Sequence, residues 1–278
     1  MTWDDHDLFD DWGSDPALRR TNPLASKKYD AVEGVYRRYQ RSLVPAKAGA
    51  SLDYGVHLGP VAVYVMDLRS ERGVDSQFPI LGRTQLDRLK AWFANLDSVV
   101  RLAVVVCSVP LTFVNNRTIR MGMEMGIDLT KDLADQWNYP GDAKQNLFDN
   151  RPDLTRMLDA LFAAQIPGKR QVIAVGGYVH CGYGHMLAQD ITKKRIYSFT
   201  TSALACDLID ESFRKILKNG VRYKDKELVG GYRGTWLEDS LFYDFNYGEL
   251  TYEAKTDEYS FTLIDENGFE HQVFKGHV

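Results

Sequence analysis

The chain has 278 residues, of which 44% are hydrophobic and 26% charged, the balance of an ordinary globular protein and not of a disordered one. Its 34 Lys and Arg against 38 Asp and Glu leave a net charge of -4, so no bulk positive field draws it to nucleic acid or to an acidic membrane face. The apolar, uncharged run Leu102 to Val114 contains Pro110 and falls short of the roughly 20 apolar residues of a bilayer span.

Val32, Val35, Tyr36, Tyr39 and Leu43 recur at helical spacing, which predicts an amphipathic helix from Pro23 to Leu43, stopped by Pro45. From Tyr54 to Leu68 the chain reads as strand broken at Gly59-Pro60, and the apolar run Val61 to Met66 predicts a strand covered on both faces. Thr84 with Asp87 reads as a capping box ahead of the stripe Leu86, Leu89, Phe93 and Leu96. A second buried strand runs from Leu102 to Val109. Residues 115–151 lack regular patterning and are expected to form a loop insertion or lid. Pro152 opens a helix over Asp153 to Gln165, Gln171 to Val175 and Arg195 to Thr201 are strands, and Asp207 to Lys218 is a helix closed by Gly220. Strand and helix alternate, so the class is α/β. Leu250, Tyr252 and Ala254, then Tyr259, Phe261 and Leu263, alternate with polar residues, and Asn267-Gly268 signals a hairpin. Residues 246–278 are therefore expected to form an antiparallel ribbon.

Cys107, Cys181 and Cys206 are odd in number and lack CxxC spacing, and the acidic start of the chain has neither the basic nor the apolar character of a leader. A reducing, cytoplasmic setting is expected.

Chemistry concentrates first between Trp3 and Gly13, where Asp4, Asp5, His6, Asp7, Asp10 and Asp11 offer hard oxygen and nitrogen donors suited to a divalent cation or to acid–base work. The plain alternative is a solvated acidic cap, and the two tryptophans weigh against it. The second segment is the glycine-rich stretch Gly176 to His185, which sets His180 at the carboxyl end of a strand, where open α/β sheets bind ligands. It contains no GxGxxG, and His180 with His185 lacks HExxH spacing, so a satisfied structural histidine is the simple reading of each imidazole. Third, Asp67 and Arg69 lie two apart at a strand end and share a face, suited to hold each other as a surface ion pair or to hold an oxyanion. Asp135-Gln136-Trp137 is a fourth polar and aromatic cluster with no reading of its own.

In this order the segments resemble the PhoD-like (alkaline phosphatase D) branch of the calcineurin-like metallophosphoesterases. The likeness is carried by Trp3-Asp4-Asp5-His6-Asp7 running into Trp12-Gly13-Ser14, by Asp67 to Arg72, by Ser108-Val109-Pro110, by Asp135-Gln136-Trp137 and by Gly177-Tyr178-Val179-His180. It implies a single domain over 1–278, a sandwich of two mixed β-sheets flanked by helices and ending in the ribbon, and two-metal hydrolysis of a phosphoester. By motif, Asp5 and His180 would bind metal, His6 would touch the phosphoryl group or protonate the leaving oxygen, Asp135 would be a second catalytic residue and Arg69 would bind substrate. The cofactor would be manganese, iron, calcium or zinc.

Two departures qualify what the resemblance implies. The family's first-metal motifs precede the Trp-Asp-Asp-His segment, and here only Met1 and Thr2 do; Tyr178 stands where the family carries an aspartate. An N-terminally truncated domain with weak or partial metal occupancy is therefore expected, Tyr178 filling the pocket and an open sheet edge left for a partner chain or self-association. If this chain supplies the missing ligands, Asp10, Asp11 and His185 are the residues to examine. The alternative is a catalytically inactive relative serving as a binding or structural subunit, and a third reading is a plain α/β domain with a single-metal site of Asp5, His6 and His180.

Overall fold

Strands that are apolar on both faces need a layer on each side, and the computed structural model, which describes residues 2–44, 51–125, 133–202 and 211–278, provides two. Strands β1 (Tyr54–Leu58), β2 (Val61–Val65), β3 (Leu102–Cys107), β6 (Gln171–Gly176), β7 (Tyr183–Gln189), β8 (Arg195–Thr200), β9 (Lys226–Val229) and β10 (Tyr232–Trp236) form one sheet in the order β1-β2-β3-β6-β8-β7-β10-β9. The central strands β2, β3, β6 and β8 are parallel, and the outer pairings are antiparallel. The sheet is thus mixed, with its parallel carboxyl ends at one edge.

Alternation along the central strands divides the core. Ala103, Val105, Cys107, Val172 and Ala174 pack with Leu86, Leu89 and Phe93 of helix α3 (Gly82–Ala94) and with Leu154, Leu158 and Leu161 of helix α5 (Arg151–Ala164). Leu102, Val104, Ile173 and Phe199 pack instead with Tyr259, Phe261 and Leu263 of a second sheet, β11 (Asn246–Glu253), β12 (Glu258–Asp265) and β13 (Glu270–His277). This sheet is wholly antiparallel and is the expected ribbon, its β12–β13 turn using Gly268 at φ +82°. Arg101 reaches across to Asp257 at 2.7 Å.

Several boundaries differ from the sequence reading for local reasons. Gly59, at φ +65°, and Pro60 turn a tight antiparallel hairpin in which Leu58 faces Val61, so the long strand is two. Helix α2 (Pro23–Tyr39) ends before Leu43, and its buried stripe is Ala25, Tyr29 and Tyr36 with Val32; Val35, Tyr39 and Leu43, expected on that face, are exposed. Helix α3 begins at Gly82, so Thr84 lies inside it and is no cap; its hydroxyl accepts from Arg88 instead. The 115–151 stretch holds helix α4 (Asn116–Met125) and the small hairpin β4 (Pro140–Asp142) and β5 (Leu147–Asp149), and Trp137 within it is buried in the main core. Helix α6 spans Glu211–Val221, and the first residues of the helix expected from Asp207, like Cys206, lie outside the described residues. No described helix is long and apolar enough to cross a membrane.

Candidate functional site

Beyond β2 the chain leaves the sheet and turns on one carboxylate: Asp67 Oδ1 accepts from the backbone N–H groups of Arg69 and Ser70, at 3.2 and 3.0 Å, and from the Trp3 indole at 2.8 Å. The Trp12 indole donates to the Arg69 carbonyl at 3.0 Å. The two indoles thereby fasten the N-terminal segment across the end of β2, and both rings are buried in a small side core with Leu8, Tyr29 and Tyr36. Helix α1 (Asp5–Leu8) follows directly, its entry held by the backbone N–H of Asp4 donating to Asp7 at 2.8 Å.

Arg69 does not pair with Asp67. Its guanidinium, with no exposure, meets Asp4 at 2.6 Å, Asp135 at 2.9 Å and Asp5 at 3.5 Å, and lies 5.2 Å from the centre of the Tyr178 ring. Asp135 is equally buried and takes a second guanidinium, Arg72, at 2.8 Å, together with the hydroxyls of Ser14 and Tyr178. Burial alone would raise the Asp135 carboxyl; Arg69 and Arg72, helped by the two hydroxyls, bring it down to about 2. An ionised, enclosed carboxylate anchors two arginines and holds no proton to give at neutral pH. Asp5 is in the opposite condition. Burial pushes its carboxyl up to about 6 against the pull of Arg69, with Asp4 and Asp135 adding to the rise.

After β6 the chain makes a turn in which Tyr178 and His180 both adopt left-handed backbone, φ +72° and +54°, a conformation disfavoured for side-chain-bearing residues. The Tyr178 ring is thereby set against Arg69 and Asp135. Beside it, at the carboxyl ends of β3, β6 and β8, opens a cleft of about 490 Å3 bounded by Asp4, Ser108, Tyr178, Thr201 and Tyr247.

Asp5, His6 and Asp10 form a group whose possible ligand atoms all lie within 4.8 Å of one another. The His6 Nε2 to Asp10 Oδ1 distance is 3.6 Å, and both side chains are exposed. The oxygen–nitrogen–oxygen set and the Oδ1 of Asp5, buried without a hydrogen-bond partner, fit a divalent cation. His180 is not a member of that group. His185 is fully buried elsewhere, between Thr112 and the Val221 carbonyl, and Asp11 has a left-handed backbone, φ +62°, and donates its N–H to Asp5 at 3.2 Å. Sequence reasoning gave no role to Ser14 or Arg72 and read Asp4 only as one donor of an acidic segment, although all three stand inside the quoted motifs; the missing signal was that three of those motifs meet in one buried ion cluster.

A mixed sheet packed between helices on one face and an antiparallel ribbon on the other, with charged groups gathered near the parallel carboxyl ends, is a fold that this chain shares with a solved phosphatase structure. The solved structure of PhoD superposes on 99% of this chain with a TM-score of 0.56 and 13% identity. The chain spans about half of PhoD, 55% of its length. Purple acid phosphatase PPD1 from yellow lupin (Lupinus luteus) seeds aligns over 84% of this chain and 34% of its own, at 12% identity and a TM-score of 0.40. The sequence matches no protein-family model and no curated protein.

Proposed function

We propose that this chain carries one cation-binding side of a metal-dependent phosphoester hydrolase. The observation that carries this reading is Asp5, a buried carboxylate whose Oδ1 makes no hydrogen bond and only a 3.5 Å ion pair with Arg69, grouped with His6 and Asp10 in a PhoD-like fold. Asp5, His6 and Asp10 would hold the cation. When bound, a divalent cation supplies positive charge to the phosphoryl oxygens and a more acidic water. Arg69 and Asp135 act as positioning residues in this reading, not as the substrate-binding and catalytic groups that the resemblance implied. Both are fully enclosed, and Arg69 holds Asp4 and Asp5 in place while Asp135 fixes Arg69 and Arg72.

Three protein donors, two of them exposed, make a weak site that water must complete. Calorimetric titration with manganese, calcium and zinc is expected to show one cation per chain, weakened by Asp10→Asn and by His6→Ala. Release of nitrophenol from mono- and bis-nitrophenyl phosphate should be slow, cation-dependent and lost in the same two variants. Hydrolysis that survives both substitutions overturns the reading. Cation binding without any turnover overturns it in favour of the inactive relative.

A further inference from the structure

The cleft at the carboxyl ends of β3, β6 and β8 has a chemistry that differs from the ion cluster behind it. Its walls carry apolar side chains, among them Val106, Val175 and Phe261, and the hydroxyl-bearing residues Ser108, Thr201 and Tyr247, while the Tyr178 hydroxyl is given to Asp135. Among the described residues lining it the only charged side chain is Asp4, a carboxylate. An anion entering this space meets no facing cation, because the Arg69 guanidinium behind Asp4 is engaged by Asp4, Asp5 and Asp135 and has no exposure. A purely apolar ligand fits no better. Ser108 is buried, and its hydroxyl has no hydrogen-bond partner among the described residues; a lone hydroxyl of that kind is costly unless a ligand supplies its mate.

We infer that this cleft binds an uncharged sugar ring. A pyranose joins apolar C–H faces to a rim of hydroxyls, the same combination that the walls present, and the cleft volume of about 490 Å3 falls within the range of small-molecule sites. Tyr247, 47% exposed at the mouth, offers an aromatic face to the C–H side. Asp4 and Ser108 offer polar atoms to the rim. The glycine turn leaves room for the ring: a Cβ at Gly177 would touch nothing closer than the Ser108 carbonyl at 3.9 Å. That turn is itself fixed, the Gly177 N–H donating to the Ser108 carbonyl and the Thr201 N–H to the Gly176 carbonyl, so the cleft is formed before a ligand arrives. Joined to the hydrolase reading on which this one clause rests, the sugar would be the alcohol half of the ester; the binding itself does not depend on hydrolysis.

The test is made on the whole chain in EDTA, so that neither cation binding nor turnover enters the measurement. Saturation-transfer NMR and calorimetry would be run with methyl α-D-glucopyranoside, methyl α-D-mannopyranoside and methyl β-D-galactopyranoside, with cyclohexanol and inorganic phosphate as comparisons. At least one glycoside is expected to bind in the millimolar range and to resist displacement by phosphate. Ser108→Ala should weaken it about tenfold, the worth of one hydrogen bond. Gly177→Leu, which projects into open space, should abolish it, and Tyr247→Ala, at an exposed site, should weaken it with the near-ultraviolet dichroism of the fold retained. Binding of no glycoside, equal binding of cyclohexanol, displacement by phosphate, or affinity indifferent to Gly177→Leu and Tyr247→Ala in folded protein would each overturn the inference.

Discussion

Arg69→Met removes one positive charge from the centre of the ion cluster and keeps an unbranched side chain in its place. The guanidinium it deletes meets Asp4 at 2.6 Å, Asp135 at 2.9 Å and Asp5 at 3.5 Å. Breaking a buried pair by removing one partner costs roughly 3–5 kcal/mol, because the other charge is left enclosed. Two features place this case at the lower end of that range: Asp4 is 27% exposed and regains water, while Asp135 keeps Arg72 at 2.8 Å. A loss of about 3 kcal/mol is expected, a large part of the roughly 5–15 kcal/mol that holds a domain together. Asp135→Asn should cost a similar amount, since it takes from Arg72 its ion-pair partner among the described residues and leaves Arg69 with Asp4 and Asp5 alone. The double variant should then lose less than the two single losses together, with a coupling of about 2 kcal/mol for groups in direct contact. Urea unfolding at pH 7, followed by tryptophan fluorescence and by circular dichroism, measures all four corners of this cycle. A single loss below about 1 kcal/mol, or strict additivity, would show that the cluster does not bind the motifs to one another.

Three further outcomes are expected. His185 is neutral in the fold: the Val221 carbonyl can only accept, so Nε2 carries the hydrogen and Nδ1 accepts from Thr112, and burial lowers the imidazole from 6.5 to about 4. Its contribution is fully present above about pH 6.5 and falls by about 3 kcal/mol as the pH drops to about 4, because the unfolded chain takes the proton first; a His185→Gln variant whose urea midpoint loses as much as the parent across that window would refute the assignment. Asp153→Ala should cost about 2–3 kcal/mol by leaving the buried N–H groups of Ile80 and Leu81 unmet, with glycoside and cation affinities unchanged. Gly13→Ala should be more damaging than Gly59→Ala in thermal melts, by about 1–3 kcal/mol, since both adopt positive φ but only at Gly13 does the added carbon meet Arg72, at 2.7 Å.

The elements that the sequence disclosed are those in which the local pattern and the buried face coincide. The apolar runs around Val61, Leu102 and Gln171 could be covered only on both sides, and they became the centre of the sheet. Helix α2 shows the limit. Tyr36 belongs equally to a stripe with Val32, Val35 and Tyr39 and to one with Ala25, Tyr29 and Val32; only the two tryptophans from the N-terminal segment, which pack on the second, decide between them. At Asp67 and Arg69 the two-residue rule for strands failed because β2 had already ended at Val65. The pairing of Arg69 with Asp135 joins residues 66 apart through a fold that neither motif announces. Asp5, His6 and Asp10 come together because a short stretch of chain carries all three, whereas the expected ligand pair of Asp5 with His180 joins distant segments and His180 is not in that group.

The side core of Trp3, Trp12, Tyr29 and Tyr36 shares no residues with the clusters on either face of the large sheet. The segment that carries Asp4, Asp5 and His6 meets the end of β2 through Trp3 on Asp67, Trp12 on the Arg69 carbonyl, and Asp4 and Asp5 on the Arg69 guanidinium, so the candidate site lies at a seam between two cores, where local opening is expected first. Amide hydrogens of residues 5–12 should therefore exchange by local opening, at lower free energy than those of β3. A cation bound at the seam would slow exchange on the N-terminal side first and leave the rates in the central strands untouched.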